Sequence, residues 1–251
     1  MSLIPSLSLE KQLETLGLAT FATIYQDLAK RMEKEHKSFV DFLKELTESE
    51  INHRYQKRVE RLLKQAKLPR NKLLNDFDIS RIPGISRAHI QTLAQGDFMD
   101  RYENLLIFGN PGTGKTHLSI ALAREWCLQN RKVFYISAAC LVQHLLKAKA
   151  DLKLEQFIKR MDAFEILIID DISYIPFDRQ ETDVLFTLLS ARYETRSIAI
   201  TSNLPFAKWE QIFKDTMTTA ACIDRLVHHA TVLELNTESY RIASAKKRSL
   251  K

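Results

Sequence analysis

An apolar run leads straight into a glycine-rich turn near the middle of the chain, and this junction constrains the fold more than any other feature. The segment reads NLLIFGNPGTGKTHL, and its turn from Gly109 to Thr116 matches G-x-x-x-x-G-K-[ST]. The strand-like run before the turn and the helical HLSIALAREW after it provide the context in which such turns bind phosphate. The sequence therefore predicts a strand, a phosphate-binding loop and a helix, in that order.

The residue types in this loop suit a nucleotide and its metal ion. Glycines let backbone amides close around phosphates, and the N-terminus of the following helix adds positive potential. Lys115 is placed to reach the terminal phosphates, and Thr116 can ligate Mg²⁺. We expect the whole loop to hold the nucleotide: Gly109, Asn110, Pro111, Gly112, Thr113, Gly114, Lys115 and Thr116.

Further polar residues follow two other predicted strands. Asp170, in EILIIDDISY, is the expected Walker B carboxylate for Mg²⁺, and Asp171 is placed to orient or deprotonate an attacking water. Asn203, in SIAITSNLP, could bond both the γ-phosphate and that water, with turn formation as its alternative role. Arg225 lies in the helical ACIDRLVHHA, as a surface residue or as an arginine finger for a neighbouring subunit.

Short β-rich runs alternate with helical ones from residue 104 onward. The strand candidates are NLLIF, KVFYIS, EILIID, SIAITS and TVLEL, each apolar enough to be buried on both faces. Helical segments between them imply right-handed crossovers. The second part of the chain is therefore predicted to be an α/β domain with a parallel five-stranded sheet.

The N-terminal part is predicted to be helical, because apolar residues recur at three- and four-residue intervals between residues 9 and 67. This pattern predicts about three amphipathic helices. Ser38 and Thr47 resemble helix starts, and Pro69 ends the last helix.

A basic face is expected on the last of these helices. On a helical wheel the apolar stripe is Ile51, Tyr55, Val59, Leu62 and Ala66, and the opposite side carries Arg54, Lys57, Arg58, Arg61 and Lys64. Such a face can contact duplex phosphates without reading sequence, and a solvated surface is the alternative. The basic tail, residues 246–251, could be a second contact to DNA or a disordered end.

Composition excludes several classes of protein. No apolar run approaches the roughly 20 residues of a membrane span, and the N-terminus lacks the pattern of a secretion signal. The three cysteines have no paired spacing, which argues against a disulfide framework or a zinc motif. We expect a cytoplasmic protein without membrane association, and its net charge of +6 makes nucleic acid a plausible partner.

The motifs GTGKTHL, IIDDISY, TSNLPF, DRLVHH and ESYR, in this order, resemble the IstB-like transposition helper ATPases and, less closely, the DnaC-type helicase loaders. Both groups belong to the initiator clade of AAA+ proteins. The resemblance extends into the N-terminal helices and covers nearly the whole chain. It implies a small all-helical domain over residues 1–75 and an AAA+ P-loop ATPase domain over residues 76–251.

This resemblance also implies function. The cofactors would be ATP and Mg²⁺, and the protein would self-assemble on duplex DNA and deliver this target to a partner transposase. It assigns roles by position: Lys115 and Thr116 to Walker A, Asp170 and Asp171 to Walker B, Asn203 to sensor 1, and Arg225 to the arginine finger. Arg241, in ESYR, is the candidate sensor 2 residue, with contact to DNA or solvent as its alternative.

Two departures from typical AAA+ proteins shape these expectations. Asp171 stands where most members have Glu, so hydrolysis should be slow. After Leu235 only residues 236–251 remain, too few for a helical lid domain, so closure should depend on the adjacent subunit in an ATP-stabilised homo-oligomer. A DnaC-type loader of a replicative helicase is the alternative function, whereas Asn203, Arg225 and the absent lid argue against a small-molecule kinase.

Overall fold

The computed structural model describes residues 7–69, 71–173, 176–213 and 216–240. The chain divides into two compact units, Met1–Arg61 and Leu62–Lys251. The sequence-based domain boundary after residue 75 remains a prediction about where the ATPase domain begins.

The described residues of the N-terminal part form three helices: α1 (Leu9–Thr15), α2 (Ala19–Lys34) and α3 (Phe39–Gln65). Ser38 caps α3 as predicted, since its hydroxyl accepts from the Asp41 amide at 3.2 Å while the Asp41 carboxylate accepts from the Ser38 amide at 3.1 Å. The helix start predicted at Thr47 is wrong. Its hydroxyl donates to the Leu43 carbonyl at 2.7 Å inside the continuous α3, so it caps nothing.

The first unit has a small core of its own. Leu28 and Met32 from α2 are buried together with Leu46 from α3. Phe21, Ile24, Tyr25 and Phe42 pack against them. The two long helices are therefore held together by apolar contacts, and polar contacts add to these, since the Thr20 amide donates to the Glu50 carboxylate at 3.0 Å.

The second unit is built on a parallel five-stranded sheet, as predicted. Its strands are β1 (Asn104–Phe108), β2 (Val133–Ser137), β3 (Ile166–Asp170), β4 (Ser197–Ser202) and β5 (Ala230–Glu234). Their order across the sheet is β2-β3-β4-β1-β5, and every neighbouring pair is parallel. β3, β4 and β1 are completely buried. The prediction that β5 is buried on both faces is wrong, because β5 lies at the edge of the sheet and Val232 is 40% exposed.

Helices cover both faces of this sheet. They are α4 (Arg87–Gln95), α5 (Lys115–Leu128), α6 (Ala138–Ala150), α7 (Leu154–Met161), α8 (Arg179–Arg192), α9 (Glu210–Phe213) and α10 (Thr216–Val227). Alternate residues of β1 enter different cores: Leu105 and Ile107 pack with Trp126 of α5, whereas Leu106 and Phe108 pack with Leu188 of α8. This alternation gives three layers, with the sheet in the middle.

None of the helices in the described part of the chain combines the length and the apolar character that a membrane span needs.

Candidate nucleotide-binding site

Three polar segments meet at one edge of the sheet. Asp170 ends β3, Asn203 follows β4, and the loop from Gly109 to Gly114 follows β1. Because β4 lies between β3 and β1 and all three run parallel, their carboxyl ends bring these segments together. Such an edge is where open α/β sheets bind ligands.

The glycine-rich loop joins β1 to α5 in the predicted order. Gly114 has a φ of 104°, a conformation that L side chains rarely adopt, and a Cβ at this position would lie 2.9 Å from Cε2 of Phe77. The helix α5 begins at the next residue, Lys115. The last glycine thus turns the chain sharply into a helix N-terminus, where backbone amides can receive phosphate.

Lys115 points into the mouth of this loop and is 7% exposed. Its Nζ donates to the carbonyl oxygens of Gly109 at 2.7 Å and Asn110 at 3.0 Å, and also to Oδ1 of Asn203. The ammonium group is therefore held at the centre of the loop. There it can exchange these oxygens for those of a phosphate.

The two predicted metal ligands lie side by side. The Thr116 hydroxyl donates to Oδ1 of Asp170 at 3.1 Å, and Asp170 is buried. A hydroxyl and a carboxylate are oxygen donors of the kind that Mg²⁺ takes together with phosphate and water oxygens. These two residues therefore fit the ion that the sequence predicts.

Asp171 and Asn203 form a second pair beside the first. Asp171 has a φ of 59°, in the left-handed region that Asp tolerates better than most residues. Its Oδ1 accepts from Nδ2 of Asn203 at 3.0 Å. The Asn203 amide thus joins the loop lysine on one side to Asp171 on the other, which is more than a turn residue would do.

Two hydroxyl groups at this site were missed by the sequence analysis. Thr201 donates to Oδ1 of Asp170 at 2.6 Å, and Tyr135 donates to Oδ2 at 2.8 Å. Burial and the nearby Asp170 carboxylate raise the pKa of Tyr135, so its hydroxyl stays protonated and remains a donor. Thr201 lies on β4, two residues before Asn203. Side chains two residues apart along an extended chain point the same way, and this spacing was the one signal in the sequence that could have placed Thr201 at the site.

Additional residues flank the glycine-rich loop. His117 lies 5.5 Å from Phe77, measured between ring centroids, and its Nε2 is 2.9 Å from the Leu73 carbonyl. On another side the Tyr240 amide donates to the Gly112 carbonyl at 3.0 Å. The segments before β1 and after β5 therefore both reach the loop. No residue before β1 was predicted to do so, and after β5 only Arg241 was assigned to this site.

Arg225 lies away from this edge. Its guanidinium carbon is 4.9 Å from the ring centroid of Phe186, and it lines a small cavity with Asn104 and Ile198. These two residues stand at the amino ends of β1 and β4, and β1 has five residues. At about 3.3 Å per residue, roughly 16 Å of strand separates Arg225 from the loop of its own chain. The remaining predicted catalytic residue, Arg241, lies outside the described residues.

The predicted DNA-contacting residues are all exposed on α3: Arg54, Lys57, Arg58, Arg61 and Lys64. Arg54 also has a structural role, since it donates to Glu50 at 2.6 Å and to the Gly17 carbonyl at 2.6 Å. The predicted apolar stripe is wrong at Ile51 and Tyr55, which are 60% and 46% exposed. The basic tail, residues 246–251, lies outside the described residues.

A comparison with protein families decides what kind of protein carries this site. Residues 11–249 match the family described as IstB-like ATP binding protein. The chain belongs to this family. Similar proteins include an insertion-sequence ATP-binding protein from Sinorhizobium fredii, 42% identical over 93% of this chain and 78% of the relative. An ATP-binding protein of the insertion sequence IS21 from Pseudomonas aeruginosa is 37% identical over 95% of this IstB-like chain and 90% of the relative.

Solved structures share the fold of this IstB-like protein. The crystal structure of DnaI superposes with a TM-score of 0.54 at 21% identity, and the match covers 69% of this chain and 94% of the DnaI chain. AMPPCP-bound DnaA from Aquifex aeolicus has a TM-score of 0.58 at 19% identity, over 73% of this chain and 55% of its own. At these identities the similarity shows the shared fold alone.

Proposed function

We propose that this IstB-like protein hydrolyses ATP to control its own assembly on duplex target DNA, which it presents to a partner transposase. The observation that carries the proposal is the convergence of Lys115, Asp170, Asp171 and Asn203 at one edge of the sheet. Family membership supports it, because its relatives are ATP-binding proteins of insertion sequences.

Each polar residue of the site has a place in hydrolysis. The bound nucleotide supplies the reactive γ-phosphate, and Mg²⁺ offsets its charge. Lys115 holds the terminal phosphates, while Thr116 and Asp170 provide oxygen atoms for the ion. Asp171 receives the proton of the attacking water, and Asn203 fixes the Asp171 carboxylate through the 3.0 Å hydrogen bond. An aspartate at position 171 reaches less far than a glutamate, which favours slow turnover.

Hydrolysis and assembly are coupled in this proposal through Arg225. About 16 Å of strand keeps this arginine from the loop of its own chain, so it acts on the nucleotide of a neighbouring protomer. Each site is then completed only in an oligomer, and an arginine finger is worth about 10³ or more in rate. DNA that promotes assembly therefore stimulates hydrolysis.

Binding to duplex DNA is proposed for the exposed basic residues of α3. Lys57, Arg58, Arg61 and Lys64 are exposed, and each can neutralise one phosphate. With four contacts, the logarithm of DNA affinity should fall with the logarithm of salt concentration with a slope of about −3.6. This amounts to roughly a hundredfold loss of affinity per protomer between 50 and 200 mM salt. Phosphate contacts of this kind carry no sequence information, as a helper with many target sites requires.

The proposal is tested by sedimentation of the full chain with duplex DNA in the presence of ATP and Mg²⁺, with ADP, and without nucleotide, at two salt concentrations. A large complex that forms only with ATP and dissolves at the higher salt is expected. A protein that binds ATP but stays small and ignores duplex DNA would overturn the proposal. A hexameric helicase would then be the partner to test.

A further inference from the structure

The carboxylate of Asp170 is held from both sides by hydroxyl groups of the two neighbouring strands. β3 lies between β2 and β4, and these strands contribute Tyr135 and Thr201. The Thr201 hydroxyl donates to Oδ1 at 2.6 Å, and the Tyr135 hydroxyl donates to Oδ2 at 2.8 Å. Both carboxylate oxygens thus have a fixed donor before any ion arrives, and Oδ1 also faces Thr116 at 3.1 Å.

Thr201 reaches beyond Asp170 to the two residues that follow it. Its hydroxyl oxygen accepts from the Asp171 amide at 2.8 Å, and its backbone carbonyl accepts from the Ile172 amide at 3.1 Å. Asp171 has a positive φ of 59°, so the chain turns sharply at this point. Thr201 is 1% exposed, which leaves its hydroxyl no competing contact with bulk water. One side chain therefore fixes both acidic residues at once.

The chemistry of these donors suits a metal site. Hydroxyl groups are neutral, so they orient the carboxylate and leave its negative charge available to a cation. A lysine or arginine in the same place would compensate the charge that Mg²⁺ requires. Groups that orient metal ligands in this way commonly contribute tenfold or more to metal affinity or activity.

We propose that Thr201 and Tyr135 are positioning residues of the nucleotide site. They set the Asp170 carboxylate for Mg²⁺, and Thr201 also sets Asp171 beside Asn203. This inference rests on the proposed ATP site, and it is independent of DNA binding and of the transposase.

The test compares Thr201→Val, Thr201→Ser and Tyr135→Phe in the full chain. Valine keeps the shape of threonine and removes its hydroxyl, whereas serine keeps the hydroxyl. Two controls remove similar hydrogen bonds elsewhere: Thr182→Val, whose hydroxyl donates to the Phe213 carbonyl at 3.4 Å, and Tyr193→Phe, whose hydroxyl lies 2.8 Å from Nδ1 of His228. The measurements are the Mg²⁺ concentration for half-maximal ATP hydrolysis, the maximal rate, and ATP affinity in EDTA.

The Mg²⁺ requirement is expected to rise about tenfold in Thr201→Val and several-fold in Tyr135→Phe, with unchanged ATP affinity in EDTA. Thr201→Val should also lower the maximal rate, because it releases Asp171. Thr201→Ser and both controls should behave like the wild type. An unchanged Mg²⁺ requirement in Thr201→Val, or a serine variant as impaired as the valine variant, would overturn the inference.

A measurement that needs no turnover separates this result from the proposed function. Mg²⁺ should strengthen ADP binding in the wild type, and this strengthening should be reduced in Thr201→Val and Tyr135→Phe. Loss of the Mg²⁺ effect only in these variants supports the positioning role even if the protein never assembles on DNA. Equal Mg²⁺ effects in the variants and the wild type would refute it even if assembly is normal.

Discussion

Asn203→Ala gives the sharpest test of the nucleotide site, because one side chain contacts both the loop lysine and the second acidic residue. Alanine removes the 3.0 Å hydrogen bond to Asp171 and the contact with Lys115. Lys115 keeps its two loop carbonyls at 2.7 and 3.0 Å, so its position should change little. The rate of hydrolysis should therefore suffer more than the affinity for ATP.

The size of the effect follows from the bond to Asp171. A hydrogen bond to a charged group contributes about 1.5 to 3 kcal/mol. If that bond is needed in the transition state, kcat should fall about 10- to 150-fold. ATP affinity should change by less than about fivefold, since most contacts of the loop with phosphate come from its backbone amides.

The assay combines single-turnover ATP hydrolysis on duplex DNA with equilibrium binding of a fluorescent ATP analogue. Gln143→Ala is the matched control, because this exposed amide makes the same kind of contact with a carboxylate, that of Glu181 at 3.5 Å. It should leave both quantities unchanged. Loss of ATP affinity in parallel with the rate, or a normal rate, would show that Asn203 does not act through Asp171.

Four other changes probe the remaining parts of the protein. Lys115→Ala should abolish ATP binding in an equilibrium titration, and unchanged affinity would contradict its assignment. Asp171→Asn should trap an ATP-bound assembly on DNA, seen as a dissociation rate at least about tenfold slower; ordinary residence times would count against it. Arg225→Ala should bind ATP without hydrolysing it, and mixing it with Asp171→Asn should restore some activity, whereas no recovery would argue against action between protomers. Burial raises the pKa of Glu50, but hydrogen bonds from Arg54 and Thr20 outweigh this and keep it below its ordinary value. The stability that the ionised Glu50 adds is thus present at neutral pH and lost as the pH falls through that lowered pKa, so Glu50→Gln should flatten the acid limb of a thermal unfolding profile; an identical acid limb would refute this.

The sequence predicted the elements of this site well where local pattern determines structure. The apolar runs of β1 and β3 are buried as expected. The loop between β1 and Lys115 has positive φ angles at its glycines, a conformation that other residues rarely adopt. Prediction was weaker where the same residue type suits two local environments. Thr47 fits a helix start, yet inside a helix its hydroxyl is equally well satisfied by the carbonyl four residues earlier.

Contacts between distant residues required the order and register of the strands. Tyr135 and Asp170 are 35 residues apart, and they meet only because β2 and β3 are neighbours with Ser137 opposite Asp170. The exposure of β5 was not predicted for the same reason, since nothing in TVLEL shows that this strand lies at the edge of the sheet. Local periodicity cannot carry such information, because it describes one element at a time.

Arg225 and Lys115 stand at opposite ends of the same sheet, so the two ends of a protomer differ. This difference determines how the ATPase activity depends on the number of protomers in an assembly. If each arginine serves the next protomer, the contact is head-to-tail, and such contacts close into rings or extend as open helices. An open assembly of n protomers would contain n − 1 complete sites, because one terminal protomer lacks a donor. Activity per protomer would then rise with the length of the assembly, and the end without a donor would keep its ATP longest.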